Sequence, residues 1–396
     1  MEKQKNIPQL RFPEFEGEWV RKRFGDISEI IMGQSPDSKS YNFEGDGEFL
    51  IQGNADIFER KSNPRQWTNE PTKRCQVGDI LFTVRAPVGY VAKSVHNACI
   101  GRGVCSIRNT ADSEQNFLYQ FLLSYELKWK RIEQGSTFTA VSGADIKKIE
   151  IKIPLLSEQQ KIASFFTSID QKIFQLKRKR TLLERYKKGV MQKIFSQEIR
   201  FKDDNGQEFP MWEKMRLGSF LVQKIREVLK PDKNYSAIGV RSHCKGTFQR
   251  VDSDPNKIEM DNLYMVKKDD LVVNITFAWE GAIAIAKAED DGGLVSHRFP
   301  TYVFDEEKVL GMYFRYVFIQ KKFRELLELI SPGGAGRNRV LNKQDFLKLT
   351  CDAPNIEEQT KIANFLSAID EKINHTLKQI NKAEVWKKGL MQQMFV

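Results

Sequence analysis

Histidines, cysteines and one glycine-rich run are the first places in this chain to look for chemistry. His96 lies near Cys99 and Cys105, but the spacing fits no common zinc site. His243, His297 and His375 stand far from them and from each other, and no His-Glu-x-x-His pair occurs. Gly333-Gly334-Ala335-Gly336-Arg337 lacks both the spacing and the Lys-Ser/Thr of a phosphate loop. There is no strand–Gly-x-Gly-x-x-Gly–helix unit and no Asn/Asp-Pro-Pro-Tyr motif for methyl transfer to a base amine. No cluster of carboxylates asks to be a nuclease site. The sequence therefore predicts no catalytic, metal or cofactor site in this chain.

What it does carry is polar loops with the side chains that match base edges and phosphate oxygens. In the first half these are Gln34, Ser35, Gln52, Asn54, Arg85, Arg102, Ser136, Thr137 and Thr139. In the second half they are Arg241, Ser242, His243, Lys245, Asn274, Thr276, His297, Arg298, Arg337, Asn338 and Arg339. The last three follow flexible glycines that let a backbone approach phosphate closely. Each position alone is as compatible with a solvated or structural role as with contact.

The elements that must position these residues come from a duplication. Pro154-Leu155-Leu156-Ser157-Glu158-Gln159-Gln160-Lys161-Ile162-Ala163 returns as Pro354-Asn355-Ile356-Glu357-Glu358-Gln359-Thr360-Lys361-Ile362-Ala363. The offset of 200 residues holds without a gap to Lys187-Lys188-Gly189 against Lys387-Lys388-Gly389, and to Phe195 against Phe395. The halves also begin alike: Phe12-Pro13 through Trp19, followed by Arg23 and Gly25, against Asn205-Gly206 through Phe209-Pro210 and Trp212, followed by Arg216 and Gly218. Between these anchors they differ. The order is variable, shared, variable, shared, with boundaries at 1–156, 157–198, 199–355 and 356–396.

The shared segments read as long helices. Ile162, Ile169, Leu176, Leu183 and Val190 recur every seven residues, which predicts a coiled-coil seam. The second copy keeps Ile362, Ile369 and Leu390, with Thr376 and Ala383 between them. Ser157 with Gln160 reads as a capping box, and Gln159 and Gln359 as structural. About 38 residues at about 1.5 Å each give a rod of roughly 57 Å. The variable segments read as α+β domains: strands over residues 79–84 and 270–275, helices over 118–127 and 313–330.

Charge separates the segments. The net charge is +11, from 63 basic and 52 acidic residues, and residues 157–200 alone hold 11 basic and 4 acidic. Lys177-Arg178-Lys179-Arg180 is either a solvated helix face or a site for a polyanion or an acidic protein. Five cysteines without a Cys-x-x-Cys pair predict reduced thiols and a cytoplasmic location. The sequence predicts no signal peptide and no transmembrane helix.

Two different sensing domains on two matching rods suit a partner with two half-sites about one DNA turn apart, roughly 34 Å. Gly33-Gln34-Ser35-Pro36, the Pro-x-x-x-Glu-Gln-x-Lys-Ile-Ala entry to each shared helix and the Lys-Lys-Gly-x-Met-Gln close resemble the specificity subunits of type I restriction–modification systems. The likeness covers essentially the whole chain. It implies two target-recognition domains of mixed α/β structure, and two helices paired antiparallel as a coiled-coil spacer in a pseudo-two-fold repeat. It implies an asymmetric bipartite target in double-stranded DNA, two methyltransferase subunits and restriction subunits as partners, and S-adenosylmethionine, ATP and Mg as those partners' cofactors. Gln-Ser-Pro has no second copy; Lys224-Ile225-Arg226 and Lys230-Pro231 stand there, so the second reader is of another subtype. A coiled-coil scaffold that reads no DNA, or an enzyme with an unrecognised site, remain the alternatives.

Overall fold

The computed structural model describes residues 6–135, 140–334 and 339–395. Its α-helices are α1 (Gln115–Gly135), α2 (Gly143–Lys147), α3 (Leu156–Phe195), α4 (Gly311–Phe318), α5 (Lys321–Leu329), α6 (Lys343–Lys348) and α7 (Ile356–Met394). The chain forms two compact units that do not follow its linear order. One takes Met1–Arg180 with His375–Val396, the other Thr181–Asn374. Each unit thus holds one reader, the N-terminal part of the long helix after it and the C-terminal part of the other long helix.

In the first unit a two-stranded neck pairs Val20–Arg23 antiparallel with Glu150–Ile153, Val20 opposite Ile153. Everything between these strands is the reader. One sheet runs Ser28–Met32, Val104–Asn109, Ile80–Thr83, Val91–Lys93, then Lys61–Ser62 and Ile57–Phe58. The second runs Tyr41–Asn42, Gln66–Thr68, Glu48–Ile51, Ala98–Ile100, Arg74–Cys75, with the third and fourth strands parallel. Strand Ile80–Thr83 is buried at every residue, so its continuous apolar run is a central strand under α1. α1 extends beyond the expected 118–127 and buries Phe117, Leu118, Phe121 and Leu122.

The second unit repeats the plan. Its neck pairs Glu213–Arg216 with Thr350–Ala353. One sheet runs Leu221–Lys224, Thr301–Phe304, Leu271–Val273, Ile283–Ile285; the other Glu227–Leu229, Asn262–Met265, Leu294–Val295, Tyr235–Val240, Thr247–Ser253. The helix expected over 313–330 is two helices, α4 and α5. Gln320 is extended between them, and the break lets Phe318 and Phe323 share one core.

Within each unit the long helices pair antiparallel, as the resemblance implied. In the first, Phe166 stacks on Phe395, Asp170 meets Lys387 at 2.6 Å and Lys177 meets Glu384 at 2.6 Å. In the second, Lys187 meets Asp370 at 2.6 Å, and Ile362, Leu366 and Ile369 share a core with Ile194. The duplicated Ile-Asp and Lys-Lys-Gly motifs are therefore each other's partners. Of the seam residues, Ile162, Ile169, Leu176, Ile362, Ile369 and Leu390 are buried, while Leu183 and Val190 are half-buried. Thr376 is buried and Ile380 supplies apolar bulk one turn on. Arg178 and Lys179 are exposed.

Two readings of the shared segments need correction. α3 begins at Leu156, so Ser157 lies within its first turn and is not the cap. In the second copy the cap is Asn355, whose side chain accepts the Glu358 N–H at 3.1 Å. The opening stretches Phe12–Trp19 and Asn205–Trp212 also correspond in space at their tryptophans but not at their starts. Phe12 packs edge-on to Phe165 and Phe201 packs edge-on to Phe365, so Arg11-Phe12 corresponds to Arg200-Phe201. A turn through Asp203 and Gly206 fills the difference before Trp212.

The buried Glu-Gln pair at each helix start explains that correspondence. Glu158 accepts two bonds from Arg11, at 2.8 and 2.7 Å, and one from Trp19 Nε1 at 3.3 Å. Glu358 accepts two from Arg200, at 3.2 and 2.6 Å, and one from Trp212 Nε1 at 3.2 Å. The hydrogen bond to the carboxylate raises both arginine pKa values. Gln159 donates to the Pro154 carbonyl and accepts the Glu114 N–H; Gln359 donates to the Pro354 carbonyl and accepts the Leu310 N–H. Each pair ties the long helix to its reader's helix and to the strand entering the neck.

Candidate nucleic-acid interface

The first reader gathers its expected residues at one end of its sheets, because each follows a strand end. Gln34 follows Ser28–Met32, Gln52 follows Glu48–Ile51, Arg85 follows Ile80–Thr83, and Arg102 turns the chain between Ala98–Ile100 and Val104–Asn109. Backbone bonds knit these ends together. The N–H of Gln34 donates to Ile100, that of Gly103 to Gln52, and that of Val84 to Gly103. Ser35 Oγ accepts the Arg102 N–H at 3.1 Å. The glycine of the Gln-Ser-Pro motif has a steric reason: a Cβ on Gly33 would lie 2.2 Å from the Gly101 carbonyl oxygen. Gln34, Asn54, Arg85 and Arg102 are exposed, and Gln52 reaches Gln66 at 3.3 Å. Ser136, Thr137 and Thr139 lie outside the described residues.

The second reader uses the same strand ends. Arg241, Ser242 and His243 follow Tyr235–Val240, Asn274 and Thr276 follow Leu271–Val273, and His297 and Arg298 follow Leu294–Val295. The backbone equivalence is close. Val84 donates to Gly103 and accepts from Val141; Ile275 donates to Arg298 and accepts from Leu341. Arg241, His243, Lys245, His297 and Arg298 are exposed. Asn274 is buried, and its Oδ1 accepts the Thr276 N–H at 3.1 Å. Arg339 is placed differently from an open phosphate contact. Its guanidinium stacks over Trp279 at 4.9 Å and bonds the Ser331 and Glu328 carbonyls and the Glu328 carboxylate. It anchors the glycine-rich loop; Arg337 and Asn338 lie outside the described residues.

Several residues escaped the sequence reading. Arg11 and Arg200 were findable, since an Arg-Phe pair precedes each neck. Glu280 was not, because a search for cations and amides passes over an acid. It stands on the turn beside Ser242 and lines a groove of about 830 Å3 with Ser242, Asn274, Phe277, Ser296 and Phe299. Among the described residues, no three or more His, Cys, Asp or Glu side chains are grouped to hold a metal.

Known proteins share this arrangement. The family model described as "Type I restriction modification DNA specificity domain" matches twice, at residues 16–185 and 212–384. The MjaIX specificity subunit of a type I restriction enzyme from Methanocaldococcus jannaschii is 28% identical over 52% of this chain and 52% of its own length, so the chain spans about half of that relative. The MjaVIII specificity subunit of the same organism is 25% identical over 98% of this chain and 93% of its own. The crystal structure of a type I restriction–modification S subunit from M. genitalium covers 98% of this chain and 99% of its own at TM-score 0.64 and 16% identity, a likeness of fold. With both readers and most of both long helices inside the matched segments, this chain belongs to the family of type I restriction modification DNA specificity domains.

Proposed function

We propose that this chain is a sequence-specific subunit that recognises an asymmetric bipartite target in double-stranded DNA and directs adenine methylation and restriction by partner subunits. One observation carries the reading. In both readers, polar and cationic side chains from separate strands converge at the same end of the same sheet pair, on equivalent backbone positions but with different chemistry. A common scaffold with exchanged side chains is what two unlike half-sites require.

The partners are two methyltransferase subunits and restriction subunits. S-adenosylmethionine, ATP and Mg act on those subunits, and this chain performs no catalysis. A cytoplasmic location fits its five free cysteines, and no described helix is long and apolar enough to cross a membrane. The test is to combine the chain with its methyltransferase partner, methylate mixed-sequence DNA and map the modified adenines. The proposal expects one two-part asymmetric sequence. Scattered methylation, or methylation by this chain alone, would contradict it.

A further inference from the structure

The groove of the second reader contains one group that is out of character for a surface that meets phosphates. Glu280 is half-buried, and among the described residues no cation lies within ion-pair distance of it. Arg324 passes close by, its Cδ 3.4 Å from where a Cβ on Gly281 would be, yet its Nε is buried without an acceptor. The Glu280 carboxylate is instead held by the reader loop. Ser242 Oγ donates to its Oε2 at 2.6 Å, while the His243 N–H donates to its carbonyl at 2.7 Å and the Cys244 N–H to the Gly281 carbonyl at 2.8 Å. His243 and Cys244 both take positive φ, 60° and 53°, to make those two bonds. The side chain is therefore fixed in place, and among the described residues no donor reaches Oε1.

We infer that Glu280 is a specificity-determining residue that accepts a hydrogen bond from the exocyclic amino group of a base in the second half-site. The inference rests on the DNA-reading function proposed above. A carboxylate only accepts. Phosphates repel it, so once DNA fills the groove a base donor is the group on the nucleic acid that can satisfy Oε1. The major groove offers two such donors, cytosine N4 and adenine N6; guanine and thymine present acceptors at the corresponding places and are repelled. Glu280 selects by both effects. In the first reader the equivalent position is the buried Val88, fixed by the matching bonds of Thr83 to Tyr90 and Asn274 to Ala282. The amino-group requirement belongs to one half-site only.

The experiment uses the full complex with methyltransferase subunits and the target mapped by methylation. Each cytosine of the second half-site is replaced in turn by 2-pyrimidinone, and each adenine by purine, which lack the amino group. For the wild type, one replacement is expected to weaken binding about ten- to a hundredfold. The position that responds tells cytosine from adenine. The Glu280→Ala complex should bind the natural target more weakly and be indifferent to that replacement. Glu280→Gln keeps the acceptor for Ser242 and adds a donor, and should tolerate guanine or thymine there. Equal losses in wild type and both variants at every position would overturn the inference while leaving DNA reading intact. A wild-type complex that does not distinguish its target from a scrambled duplex would overturn both.

Discussion

In the first reader, Gly33-Gln34-Ser35-Pro36 lies flush against the Gly101–Gly103 turn and is pinned by Arg102 and Thr72. In the second, the equivalent chain continues through Lys224-Ile225-Arg226 into an edge strand, Glu227–Leu229, that the first does not have. Yet the carboxylates behind these loops are the same device. Asp79 accepts the Gln76 N–H and holds Arg108 at 2.9 Å; Asp270 accepts the Lys267 N–H and holds Arg226 at 2.6 Å. The acid is kept while its arginine moves from strand Val104–Asn109 to the link between Leu221–Lys224 and Glu227–Leu229. The difference teaches where this architecture is free to change: strand ends and their backbone bonds persist, and the loops hung on them are exchanged.

The largest expected effects test the part that does not change. Ile169→Asp and Ile369→Asp each bury an unpaired charge in a seam position, at a cost of roughly 4 kcal/mol. Denaturant unfolding should show similar losses for the two. Tolerance of one but not the other would break the equivalence of the units. Glu158→Ala and Glu358→Ala come next. Each strands an arginine that is largely buried, with 14% and 19% of the side chain exposed, and should lower stability by about 3 kcal/mol.

Smaller effects should fall on one reader alone. Gly33→Ala drives a methyl into the Gly101 carbonyl and should cost about 2 kcal/mol, unfolding the first reader's loop without altering the second half-site in a methylation map. Arg339→Ala should cost about 1 kcal/mol in stability and leave the salt dependence of DNA binding unchanged, because its guanidinium is bonded within the protein. Arg102→Ala should do the reverse, lowering the salt slope by about one with little change in stability. The exposed Lys179→Gln should move stability by less than about 0.5 kcal/mol.

The repeat was legible because it is written in residues that must meet: Asp170 and Lys387, Asp370 and Lys187, the Glu-Gln pairs and the seam isoleucines. The readers were legible only in their central strands, where burial on both faces leaves an apolar run. The break between α4 and α5 has no glycine or proline to announce it, and arises from packing Phe318 and Phe323 together. The capping box at Ser157 was misread because Leu155 and Leu156 precede it without a polar residue, and the helix starts on those leucines. In the candidate site, residue types pointed to strand ends that lie together at one end of the sheets, but not to which arginines the protein uses for itself. Arg339 and Arg102 look alike in sequence, and only their neighbours separate them.

The most direct test of the account is to exchange one reader at its neck. Replacing residues 24–149 with the corresponding segment of another specificity subunit leaves strands Val20–Arg23 and Glu150–Ile153, and both long helices, untouched. Assembled with the methyltransferase partner, the hybrid should methylate a two-part sequence in which one half is new and the other is that of the parent chain. If both halves change together, or neither does, the two readers do not act as separate recognition domains.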